Sequence, residues 1–265
     1  MSKILIGTSG YSYKDWIGPV YPQGTDQRDF LSLYSKEFKI VELNFSYYKQ
    51  PNAKMLDSMI KKSPEGFLFS IKAHRSLTHE ADENMKEQAT LFKNGISVLI
   101  DHKRIGAILF QFPYSFHYTD KNRKYLEILC NEFSNMPVAL EFRSDEWVRE
   151  SVIEEIRQRN FCFVNVDEPD LPKLIKPGNI VTSKLAYIRF HGRNKKNWWK
   201  GTNISRYDYL YEDSELIEWI SRIDKMVEMA KILLVSFNNH YKGQAVNNAR
   251  RFKELLVQRG FKNIS

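Results

Sequence analysis

Pro137-Val-Ala-Leu-Glu-Phe-Arg143 and Ala186-Tyr-Ile-Arg-Phe-His191 carry the pattern on which the fold turns. Side chains alternate between two faces along a strand, so each run divides into two phases. Leu140 and Phe142 oppose Glu141 and Arg143 in the first run, and Ile188 and Phe190 oppose Arg189 and His191 in the second. The same split recurs elsewhere. Val41, Leu43 and Phe45 stand against Glu42 and Asn44; Phe69, Ile71 and Ala73 against Ser70, Lys72 and His74; Val164 and Val166 against Asn165 and Asp167. Val235 and Phe237 oppose Ser236 and Asn238, and Gln111 lies between Phe110 and Phe112. A strand in an open parallel sheet with helices on both faces should be apolar in both phases. A barrel accounts for the split: one phase faces the outer helices, and the other becomes wet at the C-terminal mouth, where barrel active sites lie.

Eight such β-rich runs occupy residues 3–9, 40–45, 67–73, 105–112, 137–143, 162–167, 186–191 and 231–238. Helical patterns lie between them. Residues 26–38 space Phe30, Leu31, Tyr34 and Phe38 at a helical interval, and 214–230 do the same with Leu216, Ile217, Ile220, Ile223 and Val227. Residues 145–159 carry acids early and arginines late, which suits the helix dipole, and 244–260 end on Arg259-Gly260, a stop signal. No low-complexity linker divides the chain. Eight strand–helix units in one domain, residues 1–265, predict an α/β fold of the (β/α)8 TIM-barrel type. A doubly wound open sheet shares the alternation and is the competing topology.

Composition bounds the rest. The 265 residues are 42% hydrophobic and 27% charged, which excludes disorder, collagen-like repeats and coiled coil. Cys130 and Cys162 lie far apart with no CxxC spacing, arguing against a disulfide framework or structural zinc and for a reducing, cytoplasmic setting. The apolar start of the chain is too short for a signal-peptide core, and no run approaches a membrane span, so no membrane partner is expected. The net charge of +8 is moderate; it permits an anionic partner without requiring nucleic acid.

The segments Ile6-Gly-Thr-Ser-Gly-Tyr-Ser-Tyr-Lys-Asp-Trp16, Val41-Glu-Leu-Asn44 with Tyr47-Tyr48 and Pro51, and Phe67-Leu-Phe-Ser-Ile-Lys72 followed by Thr78-His79 resemble the DUF72 (YecE-like) family. So do Gln111-Phe-Pro113, Glu141-Phe-Arg143 with Trp147, Tyr187-Ile-Arg-Phe-His-Gly192, and Phe237-Asn-Asn239 with Gly243, Ala245 and Asn248-Ala249. The match spans nearly the whole chain in order. The resemblance implies a TIM barrel similar to the endonuclease-IV and xylose-isomerase superfamily, and no settled activity. Ser144 stands where the family often has His, and His240 where it often has an acid.

The expected rim gathers Glu42, Lys72, His74, Glu141, Arg143, Asp167, Arg189 and His191, with neutral Thr8, Asn44, Gln111 and Asn238 between them. Buried charges cost several kcal/mol each unless paired. The conservative account is a set of ion pairs closing the barrel, Glu42 and Glu141 against Lys72, Arg143 and Arg189. A second account is a divalent-metal site of Glu42, Glu141, Asp167 and His191, opposed by three nearby cations and lacking HxE or HExxH spacing. The third, best matched to the charges, is metal-free acid–base chemistry without a cofactor. Glu42, Glu141, Lys72 and His191 would move protons while Arg143 and Arg189 hold an anion. The substrate would be a phosphorylated sugar, nucleotide or nucleic-acid end, and the enzyme a hydrolase or lyase. Recognition without catalysis is the fourth, using the same groups on a small anionic or phosphorylated ligand, or on nucleic acid through the 193–200 loop, where Trp198 and Trp199 offer stacking faces beside lysines.

Overall fold

The apolar runs become eight parallel strands: β1 (Lys3–Thr8), β2 (Ile40–Leu43), β3 (Leu68–Lys72), β4 (Ile105–Gln111), β5 (Val138–Glu141), β6 (Cys162–Asp167), β7 (Leu185–Phe190) and β8 (Ile232–Phe237). The computed structural model describes residues 2–80 and 84–265. The strands are ordered β1-β8-β7-β6-β5-β4-β3-β2, and β1 returns to β2 to complete the barrel.

Helices cover the outside: α1 (Phe30–Glu37), α2 (Phe45–Tyr48), α3 (Ala53–Lys61), α4 (Met85–Asp101), α5 (Asp120–Glu132), α6 (Glu150–Gln158), α7 (Asn203–Arg206), α8 (Asp213–Met229) and α9 (Gln244–Gln258). Their starts are chemically marked. Asn52 accepts a hydrogen bond from the Met55 amide at the head of α3, and Glu212 and Glu215 form a reciprocal capping box on α8. Leu216, Trp219, Ile220, Ile223 and Met226 form the buried stripe of α8. The expected helix over 26–38 is a 3-10 turn, Gln27–Asp29, leading into α1, and the one over 145–159 is a turn, Asp145–Trp147, followed by α6.

One expected strand–helix unit is incomplete. Among the described residues, 168–184 link β6 to β7 without a helix. Pro169, Pro172 and Pro177-Gly178 interrupt any helical ladder there. The outward side chain of Asn165 holds this segment instead, accepting from the Ile180 amide and donating to its carbonyl, both at 2.8 Å.

The join between β1 and β2 is unlike the other seven. Along the β1 edge that faces β2, Ile4 and Ile6 donate to the carbonyls of Asn263 and Ser265 at 2.8 and 2.9 Å. The Thr8 amide donates to the Tyr34 hydroxyl at 2.8 Å, which itself donates to the Ile40 carbonyl of β2 at 3.1 Å. Gly10, just past β1, donates to the Glu42 carbonyl at 2.8 Å. A tail, a tyrosine hydroxyl and one direct backbone bond thus satisfy an edge that a regular ladder would otherwise cover.

Candidate functional site

The strand alternation aims a connected set of charges at the barrel axis. Arg189 of β7 lies across the floor, its Nε 2.8 Å from Glu42 Oε2 and its Nη2 2.5 Å from Glu42 Oε1, a bidentate pair between β7 and β2. Its Nη1 donates to Glu141 Oε2 of β5. Glu42 also accepts from Ser9 and, at 2.7 Å, from the Tyr187 hydroxyl. Arg143 Nη2 lies 3.1 Å from Glu141 Oε1, and its Nη1 is 2.6 Å from Glu168 Oε2. Glu42, Glu141 and Arg189 are all buried. Burial works against both carboxylates, yet Arg189 holds Glu42 below its ordinary range, and Arg189 with Arg143 holds Glu141 well below it.

His191 closes this layer. Burial, reinforced by Arg143, pushes its pKa down to about 3, so the ring is neutral. Glu141, ionised, offers only acceptors; Nε2, 3.1 Å from Glu141 Oε1, must therefore carry the proton. Nδ1 then accepts from the Asn238 side-chain amide at 3.1 Å.

Above this floor opens a cavity of about 490 Å³ walled by Asn44, Lys72, Gln111, Arg189, Asn238 and the rings of Tyr13, Tyr47, Tyr48, His79, Tyr207 and His240. Lys72, at the C-terminal end of β3, is the group with the least compensation. Its Nζ donates to Gln111 Oε1 at 2.7 Å and lies 4.4 Å from the Tyr47 ring centroid. Among the described residues no carboxylate is paired with it. Burial, with Arg189 next in effect, pulls its pKa down to about 7. The amine therefore exchanges its proton near neutrality while the carboxylates below it do not.

A smaller space of about 190 Å³ shares Gln111, His79 and Tyr207 with this cavity and is also bordered by Arg143, Arg206, Trp198 and Trp199. Trp198 is buried, with the Arg143 guanidinium 5.5 Å from its ring. Trp199 is 51% exposed and meets Tyr114 edge-on at 5.0 Å. Lys195, Lys196 and Lys200 stand in solvent. One polar atom here, Arg206 Nε, is buried without a partner among the described residues, and Glu168 lies against Arg143. Burial raises the Glu168 pKa to about 7.

Two expected rim residues face elsewhere. Asp167 turns outward, accepting from Arg193 Nε and Nη2 at 2.9 and 2.7 Å, the Tyr211 hydroxyl at 2.7 Å and Trp219 Nε1 at 2.7 Å. It anchors the loop after β7 to α8. The inward phase of β6 is the apolar one, Val164 and Val166, because the polar Asn165 and Asp167 serve the helix-free segment and this loop. Thr8 also turns away from the cavity, its hydroxyl donating to the Gly10 carbonyl at 2.6 Å; the next residue, Ser9, is the one that turns inward and donates to Glu42. His74 caps the Ser76 amide. The four-ligand metal set is consequently not assembled: Asp167 is outside, and Arg189 lies between Glu42 and Glu141. Among the described residues no group of three His, Cys, Asp or Glu side chains is arranged to hold a metal ion.

Glu42, Glu141 and His191, expected to move protons, form the sealed floor, whereas Lys72, Asn44, Gln111, Arg143, Arg189 and Asn238 border the two spaces. Ser144 and His240 have local roles: Ser144 accepts from the Glu146 amide at 3.4 Å, and the His240 ring stacks on Tyr13 at 4.6 Å. The sequence reading passed over Glu168, Tyr187, Arg206 and Tyr207. Glu168 was accessible to it, being in phase with Val164 and Val166; Arg206 ends the one-turn helix α7 and Tyr207 follows it, in a stretch too short for periodicity to be read.

Among the described residues no helix is long and apolar enough to cross a membrane. The chain is 30% identical to the UPF0759 protein YunF of Bacillus subtilis (strain 168), over 96% of this chain and 94% of that protein. A DUF72 family protein of known structure from Thermotoga maritima MSB8 superposes with a TM-score of 0.89 at 40% identity, covering 96% of this chain and 99% of that one. A second, from Enterococcus faecalis V583, gives 0.84 at 28% identity, covering 96% and 95%. The family model described as "Protein of unknown function DUF72" matches residues 5–263. The shared barrel, its extent and these relatives place the chain in the DUF72 family.

Proposed function

We propose that the barrel mouth is the active site of a hydrolase or lyase acting on a small phosphorylated compound, with Lys72 as its acid–base group. The observation that carries this is an amine in a cavity with no carboxylate paired to it among the described residues, next to the guanidinium of Arg189. A bound anion supplies the missing counter-charge and raises the affinity of Lys72 for its proton, so binding and proton transfer are linked. Glu42 and Glu141 act as fixed counter-charges that hold Arg189 and Arg143 in place. Asn44, Gln111 and Asn238 offer hydrogen bonds to hydroxyl groups, and the aromatic wall suits the apolar face of a sugar or base.

A screen of phosphorylated sugars and nucleotides tests this, read both as thermal stabilisation and as product formation. A compound that stabilises the protein, is competed by inorganic phosphate and is turned over by the wild type but not by Lys72→Met supports the proposal. Turnover that survives Lys72→Met, with the fold intact, overturns it. The exposed Trp199 beside Lys196 and Lys200 favours a second possibility, a non-catalytic barrel that binds nucleic acid. DNA or RNA binding that falls steeply with salt and yields no product would mark that case.

A further inference from the structure

We propose that Lys72 is a nucleophile that forms an imine with the carbonyl carbon of its substrate, and that the substrate carries a phosphate which lodges between Arg206 and Arg143. The inference rests on the assignment of the mouth as the active site and narrows its chemistry to a phosphorylated aldehyde or ketone.

Three features of the structure converge on it. The first is the setting of the amine. A lysine serving as a fixed cation is normally given a carboxylate; Lys72 has an amide oxygen and an aromatic face, and its carboxylate neighbours are committed to Arg189 and Arg143. Desolvation and neighbouring cations are what convert a lysine from a charge into a nucleophile. The second is the shape of the mouth. The space above Lys72 and the compartment bordered by Arg143 and Arg206 share Gln111, His79 and Tyr207 as walls, so the amine and the two guanidinium groups lie in adjoining parts of the mouth. The third is the unsatisfied chemistry at the far end. Among the described residues Arg206 Nε is a buried donor without a partner, and Glu168 sits against Arg143. A phosphate would take the free donor, and a proton on Glu168 would release Arg143 to meet it.

The step balances without an added reagent. The neutral amine of Lys72 attacks the carbonyl carbon, forming a C–N bond as the C=O π pair moves to oxygen. The oxygen takes one proton from the attacking nitrogen and a second from solvent by way of His79, the C–O bond breaks as water leaves, and an iminium with one N–H and one positive charge remains; hydrolysis reverses the sequence. His79 is the proton relay on this wall. Its Nδ1 is engaged by Thr78 Oγ1 at 2.9 Å, which leaves Nε2 for the cavity. Burial and Lys72 keep the ring neutral, its pKa down to about 4, so it holds a proton only in passing.

Pyridoxal 5'-phosphate is a suitable probe because it carries an aldehyde and a phosphate on one ring. The full chain is incubated with it, reduced with sodium borohydride and mapped by peptide mass spectrometry. The expected result is one pyridoxyl group at Lys72, none in Lys72→Arg, and labelling weaker by about tenfold with pyridoxal lacking the phosphate or in Arg206→Ala. Circular dichroism verifies that both variants fold. Label scattered over exposed lysines, or an unmodified Lys72, overturns the imine. Thermal stabilisation by inorganic phosphate is measured in parallel. If it persists while Lys72 stays unlabelled, the imine fails and the anion site stands; if both are absent, the assignment of the mouth falls as well.

Discussion

Replacing Lys72 with methionine should make the protein more stable, and the gain should depend on pH. The displacement of the amine from its ordinary 10.5 to about 7 sets a ceiling of about 5 kcal/mol on the cost of holding its charge in the folded state. The side chain is partly open to the water-filled mouth, and screening reduces that to about half. Methionine keeps the unbranched stem but forfeits the bond to Gln111 and the contact with the Tyr47 ring, about 1 kcal/mol together when both are solvent-accessible. The net is a stabilisation of about 1–2 kcal/mol, or a Tm rise of about 2–6 °C for a chain of this size. The sign with pH follows from proton binding. Below about 7 both states of the wild type hold the proton, and the native state bears the whole cost. Between about 7 and 10.5 the folded amine is neutral while the unfolded one is still charged, so wild-type stability rises with pH. The advantage of the variant is therefore largest in mild acid and shrinks through that window. Thermal and urea melts of both proteins at about pH 6 and about pH 9.5 measure it. An advantage of the same size at both, or a variant less stable than wild type in mild acid, would refute the account of Lys72.

Tyr34→Phe removes the hydroxyl that joins the Thr8 amide to the Ile40 carbonyl, stranding a buried donor and acceptor; urea melts should show a loss of about 2–3 kcal/mol. Arg189→Met leaves Glu42 and Glu141 buried without their shared partner, a cost of about 3–5 kcal/mol, read as a low melting temperature or loss of soluble protein. Glu141 has a depressed folded pKa, so its contribution is complete above its ordinary 4.5 and disappears as pH falls below it. Glu141→Gln should be less stable than wild type near neutrality and converge with it in acid, as followed by circular dichroism.

Most of the barrel was legible in the sequence because strand alternation is a local property. Glu141 and Arg143, Arg189 and His191, Lys72 and Glu42 all point inward, as their phases require. The same rule misled at Asp167, and Thr8, placed on the rim without a phase to support it, also turns outward, for a tertiary reason. Polarity in a strand marks a face that meets polar partners, which need not be the mouth. Asp167 finds Arg193, Tyr211 and Trp219 on the outside, and Thr8 finds Gly10 and Tyr34. Nor does a list of charges reveal which are spent on one another. Arg189 was expected to hold a ligand and Glu42 and Glu141 to move protons; pairing among the three seals the carboxylates and leaves Lys72, among the described residues, without a carboxylate of its own. Such pairing depends on distances across the barrel, between residues 42, 141 and 189, that no local pattern encodes.

The irregular β1–β2 join has a dynamic consequence. In a ladder, neighbouring amides are released together, because parting two strands breaks all their bonds at once. Here the Ile4 and Ile6 amides depend on residues 263–265, that of Thr8 on one hydroxyl, and that of Gly10 on the Glu42 carbonyl. The Ile4 and Ile6 amides are released together with the tail, and those of Thr8 and Gly10 each through its own local opening, so neighbouring sites should show different protection. The Gly10 amide, tied to a residue of the cavity floor, is the one whose exchange rate would register an occupied mouth.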